Sequence, residues 1–170
     1  ASPIVAFYRD GGRSISDEGG AGPSLVEVLQ QSDGWLEDTH DYIQWVFPTM
    51  ESSTHNRIAP VVTYADIVEV NRHGEHVRGK MLWVLARMLR LYRLKMVVKH
   101  GDELRVETGD GFTPDAKLME PSDHNSLRLT RIIASLRLFR LEEHANALQA
   151  FLCGLSEVKD HPSQTYWGSA

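Results

Sequence analysis

From Glu75 to about Met96 the apolar residues Val77, Met81, Val84, Leu85, Met88, Leu91 and Tyr92 recur at steps of three and four. That spacing predicts a long amphipathic helix, the scaffold of the fold. A second helix, capped by Ser122 or Asp123 and running to about Arg140, is apolar on two sides. Leu129, Ile132, Ile133, Leu136 and Phe139 lie on one, with Leu127, Ala134 and Leu138 on the other. A helix patterned this way is central and largely buried. A last helix, about Leu141 to Val158, offers Ala145, Leu148, Phe151, Leu152 and Leu155 to the core.

Capping signals place three more elements. Ser24 with Glu27 opens a helix through about Gln31, and Thr63 with Asp66 opens another that runs to Gly74. Between them a helix starts near Trp35 or Asp38 and ends before Pro48, because proline lacks an amide donor and disfavours helix in its predecessor. Val97 to Thr108 alternates around His100-Gly101-Asp102 and reads as a small hairpin. Ile4 to Tyr8 is a short apolar run cut off by Arg9-Asp10-Gly11-Gly12, residues 11–23 are a Gly- and Ser-rich mobile loop, and 160–170 are a polar tail. The expectation is a mainly α fold: one domain over 1–170, a compact bundle of about five to six helices with at most a small β-hairpin.

The composition, 170 residues with 42% hydrophobic, suits one domain with a core of its own. No run of about 18 apolar residues is present, and Ala1-Ser2-Pro3 lacks the layout of a signal peptide, so a cytoplasmic protein without a membrane span is expected. The single cysteine, Cys153, has no disulfide partner in the chain and reads as a small packed side chain. The net charge of −5 conceals a division along the sequence. Residues 1–54 carry nine acids against Arg9 and Arg13, whereas Val77 to Lys99 holds seven bases and no acid. The basic helix 78–99 is either a solvated or acid-facing surface or a docking face for an anion such as nucleic acid.

Chemistry concentrates in two segments, His40–Pro48 and His124–Ile132. In the second, His124, Arg128, Arg131 and Ser135 form a stripe between the two apolar sides of the helix. Arginines on a mostly buried helix require a partner, since an unpaired buried charge costs several kcal/mol. Asp41, beside Gln44 in the first segment, is the nearest acid in the motif set, and Asn125 both donates and accepts. One reading makes Asp41, Gln44, Asn125, Arg128 and Arg131 an internal clasp. The other makes His40, Asp41, Gln44, Trp45, His124, Asn125, Arg128 and Arg131 a polar pocket in which an arginine fork receives a carboxylate or phosphate.

No cofactor and no metal is indicated. His73-Gly74-Glu75-His76 lacks a third ligand, and neither His40 nor His124 belongs to a zinc spacing. No Gly-x-Ser-x-Gly elbow occurs, and Gly109-Asp110-Gly111 and Gly19-Gly20-Ala21-Gly22 lack the flanks of a phosphate loop. A binding or interaction domain is the leading expectation. An enzyme using the pocket between the two motifs, or a nucleic-acid binder using the basic helix, is the alternative.

His40-Asp41-Tyr42-Ile43-Gln44-Trp45-Val46-Phe47-Pro48 resembles the HDYIQWLFP motif of the opioid growth factor receptor conserved region, and His124–Ile132 resembles that family's NHN-x-LR-x-TRI helix. Phe7-Tyr8, Asn56, Ala59-Pro60 and Ser135-Leu136 extend the resemblance, and Tyr166-Trp167 is similar to the end of short bacterial members. The resemblance implies a receptor-like binding protein with a peptide, small-molecule or protein partner. Animal members are intracellular and named for binding an enkephalin peptide. The motifs carry no residue set for that peptide. Two positions depart from the family pattern: Arg93 follows Tyr92 where glycine is usual, and Phe139-Arg140 replaces Leu-Gly.

Overall fold

The computed structural model describes residues 2–54, 56–113 and 124–159. The chain divides into two compact units, 1–87 and 88–170.

The first unit begins with α1 (Pro3–Arg9), whose Ser2 hydroxyl accepts from the amides of Ile4 and Val5 while Pro3 occupies the first turn. The short apolar run is thus a helix, and it buries Ile4, Val5, Phe7 and Tyr8. The expected loop 11–23 carries a hairpin, β1 (Arg13–Ile15) against β2 (Ala21–Ser24), antiparallel with an irregular register. Arg13 grips Glu27 with both terminal guanidinium nitrogens at 3.0 and 2.8 Å, and Glu27 completes the predicted capping box of α2 (Leu25–Leu29) with Ser24. Next come α3 (Asp33–Asp38) and α4 (Ile43–Val46). The predicted second capping box, Thr63 with Asp66, starts α5 (Tyr64–Arg72), and α6 (Gly74–Leu91) follows after His73. Burial alone would raise the Asp66 carboxyl. Hydrogen bonds from the Ser2 hydroxyl and from the Thr63 amide and hydroxyl outweigh it and hold Asp66 below its ordinary range, tying α5 to the cap of α1.

The basic helix turns two of its charges inward within this unit. Lys80 donates to the carbonyls of Tyr8 and Arg9. Arg87, 6% exposed, donates to Gln31 O at 2.7 Å and to Asp33 at 2.8 Å, closing the α2–α3 turn. Trp83, by contrast, is 60% exposed.

In the second unit β3 (Leu94–Val98) pairs antiparallel with β4 (Leu104–Thr108), from Leu94↔Thr108 to Val98↔Leu104. A 3₁₀ turn at His100–Asp102 closes the hairpin, with Gly101 at φ 74° and Asp102 at φ 64°. The predicted hairpin is present, but it starts earlier than the alternation indicated. The scaffold helix correspondingly stops at Leu91 instead of reaching Met96, because Arg93 adopts φ 58° and reverses the chain. The helices α7 (His124–Leu138) and α8 (Glu142–Lys159) complete the unit, with α8 packed on both α7 and β4. Ile132, Ile133 and Leu136 of α7 and Ala145, Leu148 and Leu152 of α8 are buried. The proposed caps Ser122 and Asp123 lie outside the described residues.

The fold is mainly α with small hairpins. The described residues form eight α-helices and two hairpins, not five to six helices and one hairpin. The difference arises in the first unit. The single helix expected up to Pro48 breaks at Thr39, whose extended backbone (ψ 131°) separates α3 from α4, and the run at Ile4 is a helix in its own right.

Candidate functional site

The segment His40–Pro48 is built around tyrosines. Tyr42, fully buried, donates its hydroxyl to Leu36 O at 2.7 Å and packs its ring 5.1 Å from Trp35, so α4 folds back on α3. Tyr8 donates to Val46 O, and Phe7 lies 5.7 Å from Trp45, so α1 supports α4 from another side. Burial pushes the Tyr8 phenol well above its ordinary range, and it acts as a fixed donor.

These packing contacts set the predicted residues. His40 is exposed and precedes α4, so it does not share a helix face with Gln44 as continuous helix would require. Asp41, half-buried, accepts from the Asp17 amide at 3.2 Å, and its own carbonyl accepts from Asn56 Nδ2 at 3.3 Å. Gln44 is 5% exposed and donates Nε2 to His40 O at 3.2 Å, while its Oε1 is buried with no hydrogen-bond partner. Trp45 is 3% exposed, and its Nε1 is likewise buried without a partner. Among the described residues, one acceptor and one donor on consecutive positions of the motif therefore have no hydrogen-bond partner.

Asn56 belongs to this group, although the sequence pointed to it only through the family resemblance. It is 2% exposed and its Oδ1 accepts from Ile58 N at 3.2 Å, so one side chain ties the 53–58 loop to the backbone of the signature segment.

The other predicted residues sit on α7. Asn125 is fully buried, and its Oδ1 accepts from the Tyr92 hydroxyl at 2.8 Å. Arg128 is 4% exposed, while His124 and Arg131 are half-buried. Of the four residues of the polar stripe, Arg128 and Ser135 are buried, and Asn125 is buried beside them. Tyr92 went unrecognised as a polar partner because its position in the helical pattern reads as core. A groove of about 720 Å³ between the β3–β4 hairpin and α8, flanked by Val106, Ala147 and Phe151, involves none of the predicted residues. No helix among the described residues is long and apolar enough to cross a membrane.

Comparison with known proteins agrees with the motifs. Residues 6–164 match the opioid growth factor receptor (OGFr) conserved region. The chain is 31% identical over 134 residues to the opioid growth factor receptor-like protein 1 of Mus musculus, covering 77% of this chain and 28% of that protein. It is 32% identical over 135 residues to the protein of that name in Rattus norvegicus, covering 77% and 28%. With the opioid growth factor receptor of Homo sapiens the identity is 27% over 153 residues, covering 88% of this chain and 21% of the receptor. The chain thus spans less than a third of the length of these relatives. No solved structure matches it. The chain belongs to the opioid growth factor receptor conserved-region family.

Proposed function

We propose that this protein is a binding domain and that its signature segment recognises a peptide. The observation that carries the reading is the pair of orphan groups on α4, the Gln44 carbonyl oxygen and the Trp45 indole N–H. Leaving a buried polar group unpaired costs roughly 1–3 kcal/mol, so two in one motif call for a partner that the described residues do not provide. A peptide group has the matching chemistry. Its N–H donates to Gln44 Oε1 and its carbonyl accepts from Trp45 Nε1. The relatives' names refer to a receptor for an opioid growth factor, which supports a peptide over a nucleotide or a sugar. The turning inward of Lys80 and Arg87 weighs against nucleic acid on the basic helix.

A small anion on α7 is the second reading. It is favoured by the guanidinium of Arg128 at 4% exposure, since a buried arginine fork is the side chain best shaped for a carboxylate or phosphate.

The test pairs binding with stability. Gln44→Met and Trp45→Phe remove the orphan atoms at nearly constant shape. Both variants are expected to match or exceed the parent in melting temperature and to lose binding of an enkephalin pentapeptide, measured by calorimetry against a scrambled control. Equal binding by parent and variants, or none by the parent, would sink the peptide reading. Arg128→Lys separates the second reading, because it keeps the charge and loses the planar fork; it is expected to weaken binding of inorganic phosphate in the same calorimeter and to leave the peptide result unchanged.

A further inference from the structure

At the α5–α6 junction an open cavity of about 570 Å³ is lined by Arg9, Arg72, His73, Glu75, His76 and Arg78. Three separate pieces of chain, the end of α1, the end of α5 and the first turns of α6, each deliver one arginine to it. Their states differ. Arg9 is already engaged, holding Asp10 through two contacts of 2.6 and 2.8 Å and directing Nη1 to His73 Nε2 at 3.2 Å. Arg72 and Arg78 make no side-chain hydrogen bond or ion pair among the described residues, and Arg78 Nη1 is buried with no partner. Among the described residues Glu75 is the one carboxylate lining the cavity, and it makes no ion pair with either arginine. Asp10 and Glu69 lie nearby, and both act on Arg9.

The seat of Arg78 depends on Gly74. A Cβ there would lie 2.2 Å from Arg78 Nη2, so the absent side chain lets the guanidinium lie down on the helix start, one turn back along α6. The helix ends do little of the work. The negative end of α5 and the positive end of α6 meet on either side of His73 and largely cancel, which leaves the side chains as the source of the field.

We infer that this cavity is an oxyanion site for a phosphate group, held by the guanidinium forks of Arg72 and Arg78, with the imidazoles of His73 and His76 as further donors. A guanidinium satisfies a carboxylate with a single two-pronged contact. Two forks converging from different elements fit the three terminal oxygens of a phosphate better. The site uses none of the signature-segment residues and goes beyond the peptide reading.

The experiment titrates the whole chain with inorganic phosphate, and in parallel with acetate, at fixed ionic strength, following backbone amide shifts by NMR. Saturable shifts of Gly74, Glu75 and His76 with phosphate, and weaker ones with acetate, are expected. Arg72→Gln should weaken phosphate roughly tenfold, while Lys95→Gln, the same charge change on β3, should leave it unchanged. Gly74→Ala is the second variant. Its φ lies outside the left-handed region, so the helix persists, but the new methyl pushes Arg78 off its seat and phosphate binding weakens without loss of thermal stability. Non-saturating shifts, an acetate affinity equal to that of phosphate, or equal losses in Arg72→Gln and Lys95→Gln would each overturn the inference.

Discussion

Leu141 donates its amide to Leu136 O at 2.8 Å, six residues spanned by one hydrogen bond that ends α7 and sets the start of α8. Arg140 N to Arg137 O at 3.2 Å is the inner bond of the same motif, and Leu141 and Leu136 are both buried beside it. The motif requires the left-handed conformation at residue 140, and Arg140 adopts it at φ 64°. Arg93 does the same at φ 58° beyond α6, where its carbonyl receives the Gly109 amide at 2.7 Å. These are the two positions at which the sequence departs from the glycines of the family pattern it resembles, and both adopt the left-handed conformation that glycine takes without strain.

A side chain in the left-handed region costs roughly 1–2 kcal/mol, part of which glycine returns to the unfolded chain as extra freedom. Arg140→Gly is therefore expected to stabilise the protein by about 0.5–1 kcal/mol, and Arg93→Gly by a similar amount. Urea denaturation of each single variant checks this. A loss of stability in both would mean that the arginine side chains make contributions larger than the backbone strain.

The same two residues show what was legible in the sequence. Where a local signal fixes an element, it was readable: the capping boxes Ser24–Glu27 and Thr63–Asp66, and the turn at Gly101, are where side-chain chemistry and glycine placed them. The end of α6 was not readable, because Leu91, Leu94 and Met96 continue an apolar run and Arg93 gives no sign of a break. Nor was the gap between α3 and α4. Thr39 to Tyr42 contains neither glycine nor proline, and the break is held by tertiary contacts, Tyr42 with Leu36 O and with the Trp35 ring. For the candidate site, the sequence pointed to Asn125, Arg128 and Ser135, which are buried on α7, but it also named His124 and Arg131, which are half-buried, and missed the buried Ser126. It did not identify the Asn56 strut or the unsatisfied atoms of Gln44 and Trp45, which depend on how α1 and the 53–58 loop pack.

Asp66 makes stability depend on acidity. Its carboxyl is held below the ordinary value of about 3.9, so its contribution is complete above that value and is lost as pH falls through the lower folded value. Asp66→Asn is expected to cost about 1 kcal/mol at pH 7, the usual worth of a helix cap, and clearly less at pH 2. A penalty of equal size at both pH values would show that the carboxylate charge is not what the Ser2 and Thr63 donors stabilise.

Tyr92 and Asn125 join α7 to the end of α6 within the second unit through buried groups. Tyr92→Phe removes the donor and leaves the Asn125 oxygen in place, with an expected loss of roughly 1–2 kcal/mol. Asn125→Leu removes a polar group that has no access to water, and the double variant should cost less than the sum of the singles. A thermodynamic cycle measured by chemical denaturation gives the coupling, and strict additivity would show that the two groups do not support each other.

Arg87 offers the sharpest contrast between a charge placed for structure and one placed for a partner. Its side chain is buried, two of its nitrogens, Nε and Nη1, have no hydrogen-bond partner among the described residues, and the third engages Asp33 and Gln31 O. Asp33 is 42% exposed, so solvent screens the pair and its net worth is small, on the order of 1 kcal/mol. Arg87→Met keeps the length and drops the desolvated charge, and its stability is expected to equal or exceed that of the parent. Asp33→Asn leaves the guanidinium buried with a weaker partner and should destabilise. If Arg87 instead served a nucleic acid, Arg87→Met would lower affinity for DNA or RNA in a strongly salt-dependent way. The expected outcome is no shift of either nucleic acid at low ionic strength for parent or variant, together with a melting temperature for Arg87→Met at or above that of the parent. A destabilised Arg87→Met would show that the bonds to Gln31 O and Asp33 outweigh the cost of burying the charge.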